Sequence, residues 1–112
     1  MADRITTYRE FWPFYVGEHL KAATRWMHFV GTSGVVALAA WAAVAGDPRL
    51  LAALPVCGYG FAWVSHFFIE KNRPATFTYP AWSLAADFHM CALMWAGKME
   101  AEVEKVRAAR AP

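Results

Sequence analysis

Residues 26–46, WMHFVGTSGVVALAAWAAVAG, and residues 50–69, LLAALPVCGYGFAWVSHFFI, decide the fold. Neither stretch contains Asp, Glu, Lys or Arg, and about twenty helical residues match the ~30 Å hydrocarbon core of a bilayer. Between them, Gly46, Asp47 and Pro48 supply a helix terminator, an N-cap and a proline suited to the first helical turn. The sequence therefore predicts two antiparallel transmembrane helices joined as a tight hairpin.

The segment before the hairpin is predicted to form a short helix at the membrane interface. Thr7 and Glu10 have the spacing of a capping box, which places the helix start near Tyr8. The body that follows, residues 11–20, is aromatic and amphipathic, and Pro13 within it removes a backbone donor. We expect this first helix to be short or kinked.

A fourth helix is predicted to begin at Pro80, which the first helical turn tolerates. Its apolar part, residues 82–97, is interrupted by ionisable side chains, so we expect partial insertion into the membrane. Residues 98–112 are strongly charged and are predicted to continue this helix as a solvated tail. The expected fold class is all-α: a small four-helix membrane protein in which residues 1–112 form one domain.

The amino-acid composition argues against a nucleic-acid-binding protein and against a disulfide-stabilised one. The 112 residues are 58% hydrophobic and 18% charged, and the net charge is only +2. The basic residues form no extended stripe, so nucleic acid is not an expected partner. Cys57 and Cys91 both lie in apolar stretches and imply no disulfide framework.

Basic residues near the hairpin predict its orientation. Lys21 and Arg25 precede the hairpin, Lys71 and Arg73 follow it, and only Arg49 lies at its tip. Basic residues favour the cytoplasmic side. We therefore expect an integral membrane protein, of a bacterial inner membrane or an endoplasmic-reticulum-like membrane, with both hairpin ends facing the cytoplasm.

The four histidines are predicted to converge at that cytoplasmic end. His28 lies twenty residues before Pro48 and His66 eighteen residues after it, so folding at the turn brings both to nearly the same depth. A break expected at residues 21–24 lets His19 face the same centre, and His89 reaches the same layer from the fourth helix. Imidazole is a common ligand for iron, zinc and copper, so the pattern predicts a metal site.

Glu70 is a further candidate for this site. It lies one turn after His66 on the same predicted helix face, and a carboxylate there is able to orient a ligating imidazole or to bind the metal itself. The alternative interpretation is that histidines at a membrane interface serve only as hydrogen-bonding groups.

Two stretches carry a family resemblance: FYVGEHLKAATRWMHFVGT at residues 14–32 and GYGFAWVSHFFIEKNRPATFTYPAWSL at residues 58–84. Together they pair Y-x3-H-x8-H-x2-G with H-x3-E-K-N-x-P. Both resemble the yeast-type 2-hydroxy fatty acid (2-hydroxypalmitate) dioxygenase family, formerly a domain of unknown function. The resemblance covers roughly residues 11–89.

The resemblance implies a membrane-embedded helical enzyme that holds Fe(2+) with histidines. It implies oxidative removal of one carbon from a 2-hydroxy long-chain fatty acid with dioxygen, which is α-oxidation. The residues implied are the metal ligands His19, His28, His66 and His89, with Glu70 in a supporting role and Arg25 as our candidate for binding the substrate carboxylate.

Coordination chemistry sets a limit on this assignment. Octahedral iron with four histidines keeps two open positions, whereas a chelating 2-hydroxy acid plus dioxygen needs three. Either one histidine does not bind the metal, or the substrate binds through one oxygen.

Two other functions remain open from the sequence. In a b-type haem carrier, His28 and His66 would be the axial ligands across the hairpin. In a non-catalytic accessory subunit, glycines such as Gly31 and Gly58 would pack against a larger membrane complex. A homo-oligomer is also compatible with the sequence.

Overall fold

The computed structural model describes residues 4–110, which are helical throughout with connecting turns and contain no β-strand. The five helices are α1 (Tyr8–Gly17), α2 (Ala22–Ala45), α3 (Ala53–Val64), α4 (Pro80–Trp95) and α5 (Met99–Arg110). A 3-10 turn (Pro48–Ala52) precedes α3, a π-helical turn (Ser65–Glu70) follows it, and a 3-10 turn (Ala75–Phe77) precedes α4. The all-α prediction is confirmed, but the predicted number of four helices is wrong.

The hairpin has the predicted tight connection. Gly46 ends α2 with a left-handed backbone (φ 64°), which a residue with a side chain adopts only at a cost. The Asp47 side chain then accepts a hydrogen bond from the Arg49 amide at 3.0 Å. The helices pack closely where Gly31 faces Phe61, since a Cβ on the glycine would lie 2.9 Å from the phenylalanine Cβ.

The hairpin also has the dimensions of a membrane-spanning pair. Ala22–Ala45 and Pro48–Glu70 are each long and apolar enough to cross a membrane. Only 22% and 17% of their most apolar windows are buried inside the protein. Most of this apolar surface therefore faces outward.

The first helix begins where the capping box predicts. The Thr7 hydroxyl accepts a hydrogen bond from the Glu10 amide at 3.2 Å, and the helix runs from Tyr8 to Gly17. Pro13 lies inside it. The chain then turns sharply before α2.

The charged C-terminal segment is a separate helix, and its prediction as a solvated extension of helix four is wrong. Gly97 (φ 73°) ends α4 and reverses the chain, so that α5 packs against α1. The reason is a narrow apolar stripe, Met99, Val103 and Val106, whose spacing of four and three residues places all three on one face. All three side chains are buried.

The hydrophobic core lies at one end of the molecule, among α1, α4 and α5. Its buried members are Phe11, Tyr15, Val16, Ala75, Ala86, Met90, Met99, Val103 and Val106. This core surrounds the end of the hairpin at which α2 begins and the π-helical turn ends. The outer part of the hairpin, toward Gly46, projects away from it.

Candidate metal centre

Three histidines meet where the core joins the hairpin. His19 lies in the turn after α1, His28 in the second turn of α2, and His66 in the π-helical turn. We call them the histidine trio. Their side chains are buried, and their ring centroids lie 4.4, 4.6 and 4.9 Å apart. One ligand atom from each lies within 4.8 Å of the others, which is close enough to hold one metal ion.

The break between α1 and α2 positions His19. The helix ends at Gly17, and the His19 amide donates to the Val16 carbonyl at 2.9 Å in a tighter turn. Because α2 starts anew at Ala22, the His19 ring can face the ring of His28, to which a continuous helix would not direct it. The predicted helix break is confirmed, but it spans residues 18–21 and not the predicted residues 21–24.

The π-helical turn positions His66 together with Asn72. Lys71 takes a left-handed backbone (φ 63°) and ends the turn. The amides of Lys71 and Asn72 both donate to the His66 carbonyl. The chain thus curls back, and the Asn72 side chain reaches the His66 ring. Such turns are frequent at functional sites.

Each ring of the trio is anchored through Nδ1 to an oxygen atom. The pairs are His19 with the Tyr15 carbonyl (2.6 Å), His28 with the Thr24 carbonyl (2.9 Å) and His66 with Asn72 Oδ1 (2.7 Å). Because a carbonyl oxygen only accepts, Nδ1 carries the proton in each ring. The lone pair is left on Nε2, the usual arrangement for metal-binding histidines.

The orientation of the Asn72 amide is fixed by its other neighbour. Its Nδ2 donates to the Glu18 carbonyl at 3.1 Å and to the Glu18 carboxylate at 2.9 Å. Both Glu18 groups are acceptors, so the amide nitrogen must face Glu18 and the oxygen must face His66.

The Nε2 atoms of His19 and His28 lie 3.1 Å apart. With both protons on Nδ1, two lone pairs face each other across this distance, and neither can donate to the other. Two imidazole nitrogens bound at right angles to one metal at about 2.1 Å lie about 3.0 Å apart. The pair therefore fits a shared cation.

The space beside the trio is small. It has a volume of about 10 Å³ and is also bordered by Tyr59, Ser83 and Asp87. A volume near 10 Å³ holds about one water molecule. A single ion fits in this space.

Burial keeps His19 neutral. Removal from water, with His28 and His66 nearby, places the pKa of His19 well below its usual value of 6.5. A neutral imidazole is the form that binds a metal. Tyr15 stacks on the His19 ring, with centroids 4.1 Å apart, and its hydroxyl donates to Asp87 at 2.5 Å.

The structure does not bring His89 to the other three. Its Nδ1 lies 2.9 Å from the Tyr8 hydroxyl, and its ring stacks on Trp12 with centroids 3.8 Å apart. His89 and Asp87 are two residues apart on α4 and so point to different sides of it. Asp87 borders the trio, and His89 contacts α1. The predicted convergence of four histidines is wrong for His89.

Glu70 does not contact the His66 ring. Its carboxylate accepts a hydrogen bond from the Lys21 amide at 2.7 Å, at the residue that precedes α2. The Lys21 ammonium donates to the Ile69 carbonyl at 2.8 Å. These bonds connect the start of α2 to the end of the π-helical turn, because Glu70 satisfies a free amide at a helix start.

Arg25 is occupied within the protein. It is buried, and it donates to the carbonyls of His19 (2.9 Å) and Leu20 (2.8 Å) and to the Glu100 carboxylate (2.8 Å). These partners use both terminal nitrogens of the guanidinium. The placement differs from the predicted role in binding a substrate carboxylate, since Arg25 fastens the turn that carries His19.

Residues 5–99 match the family described as 2-hydroxy-palmitic acid dioxygenase Mpo1-like. The chain belongs to the Mpo1-like family. The resemblance seen in the two motif stretches is thereby confirmed. No curated protein and no solved structure matches the chain.

The Mpo1-like match includes the whole trio and ends at the first residue of α5. It also includes Asn72 and Asp87, neither of which is among the predicted site residues. Asn72 belongs to the H-x3-E-K-N motif, but a regular helix would not place it beside His66. The presence of Asn72 in this motif was the one sequence feature that could have indicated its role.

Proposed function

We propose that this Mpo1-like chain is a membrane-bound, non-haem Fe(2+)-dependent dioxygenase that shortens 2-hydroxy long-chain fatty acids by one carbon. The observation that carries the proposal is the buried trio, with three Nδ1 atoms anchored and the Nε2 atoms of His19 and His28 facing each other at 3.1 Å. A bound ferrous ion would supply the activation of dioxygen.

With three histidine ligands instead of four, an iron ion would keep enough open coordination positions for both the substrate and dioxygen. An octahedral ion with three protein ligands keeps three positions, enough for two oxygens of a 2-hydroxy acid and one dioxygen. His89, engaged with Tyr8, is not needed as a ligand. The trio thus favours a chelated substrate.

The surrounding residues have separate tasks in this proposal. The carbonyls of Tyr15 and Thr24 and the Asn72 side chain hold the imidazoles in one tautomer. Burial of the trio excludes bulk water. Asp87, beside the trio and hydrogen-bonded to Tyr15, offers an acceptor to the substrate hydroxyl.

The membrane location rests on the exposed apolar surface of α2 and α3. Large side chains on this surface include Trp41 (59% exposed), Val44 (89%) and Val56 (74%). Apolar helices in a water-soluble core would be mostly buried. We propose that residues 1–112 form one membrane-embedded unit, with α1 at the interface, α4 partly inserted and the trio near the cytoplasmic face.

A b-type haem carrier is less favoured. The rings of His28 and His66 lie only 4.9 Å apart with His19 against both, which is too close for two axial ligands on opposite faces of a porphyrin. A non-catalytic subunit remains the second candidate because the exposed apolar surface also suits a partner protein in the membrane.

Iron binding by the purified protein tests the proposal directly. Detergent-solubilised protein is freed of metal, reconstituted anaerobically with ferrous ion and analysed for iron content and absorption. We expect one iron per chain without a Soret band, lost in His19→Ala, His28→Ala and His66→Ala. His89→Ala is the matched control and should keep its iron.

Turnover is measured on the same preparations with 2-hydroxypalmitate and dioxygen. We expect a product one carbon shorter, detected by mass spectrometry, in the parent protein and in His89→Ala. Iron binding without this product would support a non-catalytic metalloprotein. Absence of iron after reconstitution would contradict the proposal.

A further inference from the structure

A second cavity lies between α2, α3 and α4, next to the trio. Its volume is about 190 Å³, and its apolar lining includes Val35, Leu54, Gly58, Leu84 and Phe88. We call it the side groove. Leu84 and Phe88 are 48% and 41% exposed, so the groove is open along α4.

The side groove adjoins the space beside the trio. Tyr59 and Asp87 border both. The Asp87 carboxylate thus lies at the end of the groove that meets the trio, and the apolar residues lie away from it. A 2-hydroxy acid suits this arrangement, since its hydroxyl can donate to Asp87 while its alkyl chain contacts the apolar residues.

The groove runs along the hairpin toward its tip. On α2 its lining residues Thr32 and Val35 follow His28 by four and seven residues. On α3, Leu54 precedes His66 by twelve residues, which is about 18 Å of helix. An extended alkyl chain that starts at the trio would therefore lie parallel to the two helices.

The size of the groove limits how much of a chain it holds. An apolar cavity of about 150 Å³ accepts benzene, with six carbons. By this measure the groove holds about eight carbons. The remaining carbons of a long chain would leave through the opening beside Leu84 and Phe88.

We propose that the side groove binds the first half of the substrate acyl chain, roughly carbons 3 to 10, while the rest of the chain stays in lipid. This inference rests on the proposed function. It implies that the protein recognises the shape of the chain close to the carboxylate and is indifferent to its far end.

Photo-crosslinking tests this placement without turnover. The iron-loaded protein in lipid nanodiscs is kept anaerobic with 2-hydroxypalmitate that carries a diazirine at carbon 6 or carbon 14. We expect the carbon-6 probe to label groove residues in a manner that excess unlabelled 2-hydroxypalmitate prevents. The carbon-14 probe should label lipid-facing residues outside the groove. Competed carbon-6 labelling outside the groove would overturn the inference.

Two substituted glycines provide a matched pair on α3. A Cβ at Gly58 would lie 3.2 Å from Val35, inside the groove, whereas a Cβ at Gly60 meets no atom within 4 Å. Gly58→Leu should abolish the competed carbon-6 labelling, and Gly60→Leu should keep it. Leu84→Trp, with Ala85→Trp as its control, blocks the groove from α4 without entering the α2–α3 contact. Full labelling in both blocking variants would contradict the inference.

Branched competitors give the second measurement. A methyl group at carbon 5 of 2-hydroxypalmitate should weaken competition about tenfold because the groove must accommodate the added volume. A methyl group at carbon 13 should have no effect. Equal competition by both would overturn the inference. Competed groove labelling in a protein that binds iron but does not shorten the acid would refute the proposed function and leave the groove as a fatty-acid site.

Discussion

At the scale of single residues, the trio depends on one side chain more than on any other. His19 and His28 are anchored by backbone carbonyls, which substitution does not remove. His66 is anchored by the Asn72 side chain. Asn72 is thus the residue whose replacement tests the anchoring itself.

Replacing Asn72 with alanine should lower iron affinity about 10- to 100-fold, because the His66 ring loses the acceptor that sets its tautomer and orientation. A titration against a competing chelator measures this. Glu18→Gln is the control, since it leaves Asn72 Oδ1 beside His66. Unchanged affinity in Asn72→Ala would show that Asn72 does not orient the ring.

Asp87 makes a second residue-scale prediction. Burial raises the pKa of its carboxyl from 3.8 to about 6. Between pH 4 and pH 6 the folded state therefore holds a proton that the unfolded chain has released. The free energy of unfolding falls over this range as the pH rises, and the loss is complete above pH 6. Asp87→Asn should remove this loss and stabilise the protein by about 2 to 3 kcal/mol at pH 7.5, since each unit of pKa difference corresponds to about 1.4 kcal/mol.

Thermal unfolding in detergent at two pH values checks this prediction. The difference between Asp87→Asn and the parent protein should be large at pH 7.5 and small at pH 4. The amide can still accept the hydrogen bond from Tyr15, so that contact is matched in both proteins. The same stabilisation at both values would mean that the charge on Asp87 is not its cause.

The distances of the histidines from the hairpin turn in the sequence predicted that His28 and His66 meet, but the sequence did not predict the role of Asn72. His28 and His66 meet because a short turn fixes the depth of both. The role of Asn72 was hidden because it depends on a π-helical turn, which no local sequence pattern specified. Glu70 was a candidate because it lies one predicted helical turn after His66, and Arg25 because its charge suits a substrate carboxylate. Both instead bind backbone groups around the turn that carries His19.

At the scale of helices, α5 supports the trio from outside the matched family region. Its Glu100 pairs with Arg25, and its Arg107 donates to the Leu20 carbonyl at 2.9 Å. Both contacts reach the turn next to His19. We therefore expect the position of His19 to depend on the docking of α5.

Disrupting the buried face of α5 should weaken the metal site. Val103 is fully buried, so Val103→Asp places a charge in the core and should destabilise the protein by about 3 kcal/mol or more. Ala101→Asp is the matched control because Ala101 is exposed on the same helix.

Limited proteolysis and iron titration report the two consequences. In Val103→Asp, cleavage should begin within α5 and iron affinity should fall, whereas Ala101→Asp should behave like the parent protein. Full iron affinity after cleavage of α5 would show that the turn carrying His19 is held without it.

The separate α5 was predictable only from a weak pattern. Gly97 marks a helix end, and Met99, Val103 and Val106 have helical spacing. The surrounding charges pointed to a solvated tail instead. Three apolar residues are enough for docking here because they join a core to which α1 and α4 contribute large buried side chains.

At the scale of the whole molecule, the two ends of the hairpin differ. One end is enclosed by α1, α4 and α5, and the other projects with its apolar side chains uncovered, which gives a longest dimension of 53 Å. The hydrophobic runs and the short turn predicted this hairpin. The enclosure was less predictable, because it depends on contacts between residues far apart in the chain.

If the hairpin spans a membrane with both ends in the cytoplasm, its tip must lie on the opposite side. Arg49 at the tip is strongly exposed, and Thr78, an exposed uncharged residue, follows the other end of the hairpin. We therefore expect a membrane-impermeant maleimide to label Arg49→Cys in intact bacterial spheroplasts. Thr78→Cys should be labelled only after the membrane is permeabilised.

The parent chain serves as the control, since its cysteines, Cys57 and Cys91, are shielded by the proposed membrane and by packing. The expected orientation follows from the four basic residues at the hairpin ends and the single one at the tip. If the positive-inside rule determines the topology, one introduced cysteine is labelled from outside and the other is not. Labelling of both sites from outside would contradict a spanning hairpin. Labelling of Thr78→Cys alone from outside would mean that the hairpin has the opposite orientation, with the trio near the outer face.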